Sequence, residues 1–229
     1  MRGERAQSHV VGVVLLLGLT AVSMGALAAG AGVVLDSSAD SADAARAADA
    51  LAGIDPTAER QRVTVDLVDA RLHTVERQLR VGTGERWMGI VDVNALAYDG
   101  SGDAGARFLA GAVQRGDRGF ERGPAVGTAV DGEHISMSVA ALDGEVDREA
   151  RSGEVQFMLT ATHERRSYRA DTVAVETAHT GPWELAFERA GASVSVRDID
   201  RDGVPSVVAT FGAAERLSLS VHRHRIATA

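Results

Sequence analysis

From Val10 through Leu35 the chain carries no charged side chain, and this run constrains the fold more than any other feature of the sequence. At a rise of 1.5 Å per residue, a helix of that length reaches past a hydrocarbon core of roughly 30 Å. Arg2 and Arg5 precede the run, and Asp36, Asp40 and Asp43 follow it. Basic flanks stay inside, so the sequence predicts a single-pass membrane protein with a cytoplasmic N-terminus and an extracellular C-terminal domain at the cell surface. A cleaved secretory signal is the competing reading. It needs an apolar stretch of only roughly 7–15 residues and then a small-x-small cut site, for which Ala26-Leu27-Ala28 would serve. The run here is longer, and its small residues are scattered through it.

The 229 residues leave room for one domain of ordinary size beyond the anchor. With 45% hydrophobic residues the chain is not a disordered polyanion, and a net charge of −8 repels nucleic acid and anionic headgroups. No Cys is present, so neither a disulfide nor a thiolate metal site helps to hold the fold. No Lys is present either; every fixed positive charge is an Arg. In composition, this Lys-free, acid-rich, Ala/Gly/Val-rich chain resembles those of salt-loving archaea.

The stretch Arg5-Ala6-Gln7-Ser8-His9-Val10-Val11-Gly12-Val13-Val14-Leu15-Leu16 resembles the class III signal of archaeal type IV pilins and related pilin-like proteins. The resemblance implies that a prepilin peptidase cuts between Gln7 and Ser8, on the cytoplasmic side, and that the apolar helix is kept. Archaeal pilins often read Ser-Pro-Val-Ile-Gly here; His9 in place of Pro is a departure. Gly12 stands at the fifth mature position, as is common in the archaeal group, where bacterial pilins have Glu. The resemblance covers about the first 35 residues. Beyond them, the stretch from Trp183 to Phe211 is similar to haloarchaeal pilin-like proteins of this size.

Within the run, Ala21, Gly25 and Ala29 recur every four residues and would form a ridge of small side chains that lets helices approach closely in lipid. Gly and Ala are also common in membrane spans generally, and both readings stand at this point. After the run, Ala44, Ala47, Ala48 and Leu51 share one helical face, and Gly53 and Pro56 end the segment. The expected organisation is a charged leader over 1–7, a transmembrane helix over 8–35, a helical stalk or linker over 36–56, and a β-rich extracellular domain over 57–229.

That last domain shows period-two alternation. Val63, Val65 and Leu67 alternate with polar residues. So do Ile135, Met137 and Val139, then Val155, Phe157, Leu159 and Ala161, and finally Leu217, Leu219 and Val221. Val173 with Val175, and Val194 with Val196, continue the pattern. Asp99-Gly, Asp131-Gly, Asp143-Gly and Asp202-Gly are turn signals. The expected fold class is therefore an N-terminal extended helix followed by a mainly-β, antiparallel sandwich-like ectodomain. One short helix interrupts it over 180–191, with Pro182 early, Gly191 at the end, and Trp183 and Phe187 four apart to pack on a sheet. Residues 100–132 read as loops with one short strand near Phe108–Val113.

Catalytic patterns are lacking. There is no phosphate-binding glycine loop with Lys, no Gly-x-Ser-x-Gly and no His-Glu-x-x-His, so the chain is not expected to be an enzyme and no cofactor is expected. His222 and His224 share a strand face, read as solvated; two imidazoles leave a zinc site incomplete. Asp198-Ile-Asp200-Arg-Asp202-Gly203 begins as a calcium loop does, with alternate carboxylates and a Gly for the bend. It lacks the closing Glu, since Ala209 stands twelve positions along, and a polar turn is the other reading. Taken together, the expectation is a minor pilin or pseudopilin of an archaeal type IV pilus-like structure. Its partners would be the membrane, prepilin peptidase and other pilin-like subunits, with no nucleic acid. The alternative is a solitary membrane-anchored binding module.

Overall fold

Short alternating segments bounded by Gly-rich turns give sheets rather than helices, and a computed structural model of the chain bears this out as a mainly-β fold of two sheets. It describes residues 39–228, apart from 85, 102–104, 117–118, 129–132 and 213–215. The expectations at Gln7, Ser8, Ala21, Gly25 and Ala29 lie outside the described residues. Among those residues no helix is long and apolar enough to cross a membrane. The chain divides into two units, Met1–Ser41 and Ala42–Ala229; the account below concerns the second.

A first helix, α1, spans residues 39–52. The strands that follow are β1 (Arg60–Val75), β2 (Gln78–Thr83), β3 (Arg86–Asp92), β4 (Ala95–Asp99), β5 (Gly105–Leu109), β6 (Ala112–Arg115), β7 (Phe120–Arg122), β8 (Ala125–Thr128), β9 (His134–Asp143), β10 (Asp147–Tyr168) and β11 (Thr172–Glu176). Helix α2 (Thr180–Arg189) comes next, then β12 (Ser193–Arg197), β13 (Ser206–Thr210) and β14 (Arg216–Thr228). One sheet has the order β7-β6-β5-β4-β1-β10-β14-β9-β8, and the other β12-β13-β11-β2-β3.

The smaller sheet is antiparallel throughout. The larger is not: β14 lies between β9 and β10, antiparallel to β10 but parallel to β9. The expected antiparallel arrangement is corrected at this one pair. Local alternation fixes a strand but not its partner, and β9 and β10, though consecutive, are separated by the chain's last strand. The turn that joins them passes over that strand. Gly144 there has φ +119°, and a Cβ on it would sit 3.1 Å from the Ile226 carbonyl oxygen, so glycine answers both the backbone conformation and the close approach.

A second correction concerns residues 105–115. The single short strand expected near Phe108–Val113 is a hairpin, β5 and β6, turning at Ala110 (φ +52°) and Gly111 (φ +92°). Two positive φ values in a two-residue loop are the hairpin turn that matches strand twist. With β7 and β8 that makes four strands where one strand among loops was expected, all too short to show alternation.

Two apolar cores form. In the first, Ile135, Met137, Val139, Leu217, Leu219 and Val221 of the large sheet pack with Leu79, Val81, Val173, Val175, Val207 and Ala209 of the small one. This is sandwich-like packing of sheet on sheet. Trp183 and Phe187 of α2, with ring centroids 5.7 Å apart, are buried in the same core. The helix ends where Gly191 takes φ +88° and its N–H bonds to the Glu188 carbonyl.

The second core lies on other residues of the large sheet. Val63, Val65, Leu67, Leu96, Phe108, Phe157 and Leu159 pack with Ala44, Ala47, Ala48, Leu51 and Ile54. The small-residue face of α1 is therefore buried against the domain. Its C-terminal end is held by Arg122, whose Nη1 donates to the Ala52 and Ile54 carbonyls at 2.7 and 2.6 Å, while its Nε donates to Gly111 at 3.0 Å. A cation placed on free helix carbonyls is favourable both as a donor and against the helix dipole.

Leu51 is fully buried in this core. Leu51→Ala is expected to lower unfolding free energy by about 2–5 kcal/mol, read by chemical denaturation; an unchanged midpoint would mean that α1 does not dock.

Candidate functional site

The β12–β13 connection contains the three aspartates that begin like a calcium loop, and the structure uses each differently. Asp198 folds the turn on itself: its Oδ1 accepts from Arg201 N–H at 2.7 Å and its Oδ2 from Gly203 N–H at 3.0 Å. Both amide donors belong to residues with positive φ, +63° and +89°. This is the side-chain-to-backbone bonding by which Asp organises turns. Asp202 accepts from Val204 N–H at 2.8 Å. Asp200 points elsewhere, to the Arg80 guanidinium, with Oδ2 2.6 Å from Nη2.

Asp200 and Asp202 come together with a residue outside the motif. Glu176 ends β11, and its pairing with Ser206, the first residue of β13, brings it beside the end of the loop. One carboxylate oxygen each from Glu176, Asp200 and Asp202 lie within 4.8 Å of one another. No local signal in the sequence marks Glu176, which closes a fully buried strand more than twenty positions before the loop. Nor does any local pattern mark Arg77 or Arg80. Arg77 Nη1 is 3.5 Å from Glu176 Oε1. Arg80, buried, also donates to Gln78 Oε1 at 2.7 Å. Three carboxylates are oxygen ligands of the kind a hard divalent cation takes, and here two guanidiniums already offset their charge.

Burial pushes the Glu176 carboxyl above its ordinary range, opposed by Arg77 and reinforced by Asp202 and Asp200. Asp200 is shifted the other way, chiefly by its bond from Arg80.

The histidines form a second group. His163 on β10 and His222 on β14 are register partners, and their Nδ1 atoms are 2.7 Å apart. One must donate and the other accept. His222 Nε2 lies 3.0 Å from Ser138 Oγ. His224, expected on a solvated face, is buried, with Nε2–H donating to the Pro56 carbonyl at 3.1 Å. The reason is the chain before β1, which returns across this end of β14. Burial lowers the pKa of both His222 and His224. Groups depressed in this way contribute stability at neutral pH that is lost as acidification takes them through their lowered values.

A family model described as a family of unknown function, DUF7289, matches residues 5–227. No curated protein and no solved structure matches the chain.

Glu176 has the opposite sign to the histidines. Because its folded-state pKa is raised, its ionisation costs stability at neutral pH, and that cost is relieved as pH falls through the raised value toward the ordinary carboxylate range. Glu176→Gln removes the titration. Denaturation midpoints of the two proteins are therefore expected to converge on acidification in that window, with the variant at least as stable near pH 7. A variant much less stable at neutral pH would show that the Arg77 pair outweighs the burial penalty.

Proposed function

We propose that this chain, which belongs to the DUF7289 family, is a pilin-like subunit, a minor pilin or pseudopilin, of an archaeal type IV pilus-like surface structure. The observation that carries the reading is the uncharged run Val10–Leu35 set directly behind Arg5-Ala6-Gln7-Ser8. It is supported by the reach of the family model, which begins at Arg5 and takes in the run together with the β domain.

The mechanism is assembly rather than chemistry. Prepilin peptidase removes Met1–Gln7 and frees Ser8. The apolar helix stays in the bilayer with the domain outside, then packs against neighbouring subunits through small residues such as Ala21, Gly25 and Ala29, where backbones can approach closely. In chain order α1 follows the run, and its buried Ala44, Ala47, Ala48 and Leu51 tie that connection to the β domain. The length of that domain favours a minor or tip component over a small major subunit.

The mature N-terminus tests the reading. Mass spectrometry of the protein purified from its own membranes is expected to find Ser8 first. An intact Met1 would replace the proposal with a solitary anchored binding module, and a start near Ala29 with a secreted domain. Deletion of the gene is expected to alter pili, adhesion or motility.

A further inference from the structure

Beside the first core, between the β5–β7 end of the large sheet and α2, lies a cavity of about 240 Å³. Two features set it apart from a packing defect, which would be small and lined only by apolar groups.

The first is its polar lining. Arg77, Arg107 and His73 all line it, and no carboxylate does. The carboxylates that balance the two guanidiniums reach them without lining the cavity: Asp99 Oδ1 is 3.1 Å from Arg107 Nη2, and Glu176 Oε1 is 3.5 Å from Arg77 Nη1. Arg107 Nη1 also meets His179 Nε2. Each guanidinium is thus held in place on one side, yet it carries five N–H donors in a fixed fork. His73 Nδ1 is buried and makes no hydrogen bond, with Asp99 Oδ2 3.7 Å away. A buried polar nitrogen left so calls for a partner.

The second is its apolar wall. Phe120 and Trp183 meet edge to face, with centroids 5.3 Å apart, and both line the cavity. Aromatic side chains together with a few fixed polar donors are the usual make-up of a small-molecule site.

We infer that this cavity binds a small organic carboxylate with a compact apolar or ring-shaped body, its carboxylate bonded by Arg77 and Arg107 and its body against Phe120 and Trp183. A cation would meet two guanidiniums. A purely apolar occupant would desolvate the guanidinium donors that Asp99, His179 and Glu176 do not take, which is costly. A bare inorganic anion would leave the aromatic wall unfilled. The inference stands apart from filament assembly, since it uses only the β domain.

The test uses the full chain in detergent, in a Trp87→Phe background that leaves Trp183 as the only tryptophan. Benzoate is expected to change Trp183 emission saturably, at concentrations at least tenfold lower than benzyl alcohol or inorganic phosphate. Arg77→Gln, and separately Arg107→Gln, should each weaken benzoate at least tenfold. Ala112→Leu, which places a larger side chain in the lining, should abolish it, with thermal melts reporting that each variant folds. Equal binding of benzyl alcohol would overturn the anion assignment, and equal binding of phosphate the apolar one. A linear response to benzoate, or binding untouched by Ala112→Leu, would overturn the site. Should an Arg variant fail to fold, the ligand comparison in the parent protein and the Ala112→Leu result still decide the matter.

Discussion

Both apolar cores lean on the same nine-stranded sheet, and the rest of the domain follows from having to bury that sheet on two faces. β14 shows the constraint in one strand. Leu217, Leu219 and Val221 enter the first core, whereas His224 and Ile226, of opposite parity, are buried on the other side. In β9, Ile135, Met137 and Val139 enter one core and Ala140 and Leu142 the other. Where both faces are covered, consecutive positions must be apolar and often small. Ala95-Leu96-Ala97-Tyr98 is such a run, and all four residues are buried. With no Cys to crosslink it, the domain depends on this burial, each large side chain contributing about 1.5–3 kcal/mol.

That same constraint decides what could be read in the sequence. Strands with one wet face were legible: Val63, Val65 and Leu67, Val155, Phe157 and Leu159, and the first half of β14 all sit inward as the alternation implies. The helix over Thr180–Arg189 was legible too, because Pro182, Gly191 and the four-residue spacing of Trp183 and Phe187 are local signals. Strands buried on two faces, such as β4, or only a few residues long, such as β6 and β7, carry no period to detect. The phase itself slips in β1. Asp69, at φ +43°, separates inward Val63, Val65 and Leu67 from inward Ala70 and Leu72, so a strict count of two fails midway. Pairing across long separations, above all parallel β9 with β14, has no local trace at all.

The polar clusters were legible to the same extent. The bend at Asp202-Gly203 was visible because glycine and Asp act on their own neighbours. The meeting of Asp200 with Arg80, and of both aspartates with Glu176, was not, because it is made by strand order. His224 followed the same logic. Its position on β14 was clear from spacing, but its burial depends on the Pro56 carbonyl arriving from the far end of the domain.

A chain without Lys must place every buried cation through Arg, and the structure exploits what the guanidinium can do that an ammonium cannot. Arg122 bonds three backbone carbonyls from two separate segments and lies 5.7 Å from the Phe108 ring centroid. A planar fork spans such partners from one side chain, whereas a point charge on a flexible stem does not fix their relative positions. Burial lowers the pKa of Arg122, but from a starting value so high that the group stays charged. Arg80 between Gln78 and Asp200, and Arg107 between Asp99 and His179, repeat the device from within β2 and β5. In each case one guanidinium carried by a strand bonds a segment outside that strand. The connection that α1 makes to the domain therefore rests on two different interactions: an apolar face that needs only shape, and a cation that holds the helix end in register. An interaction of the first kind tolerates sliding, and the second removes it.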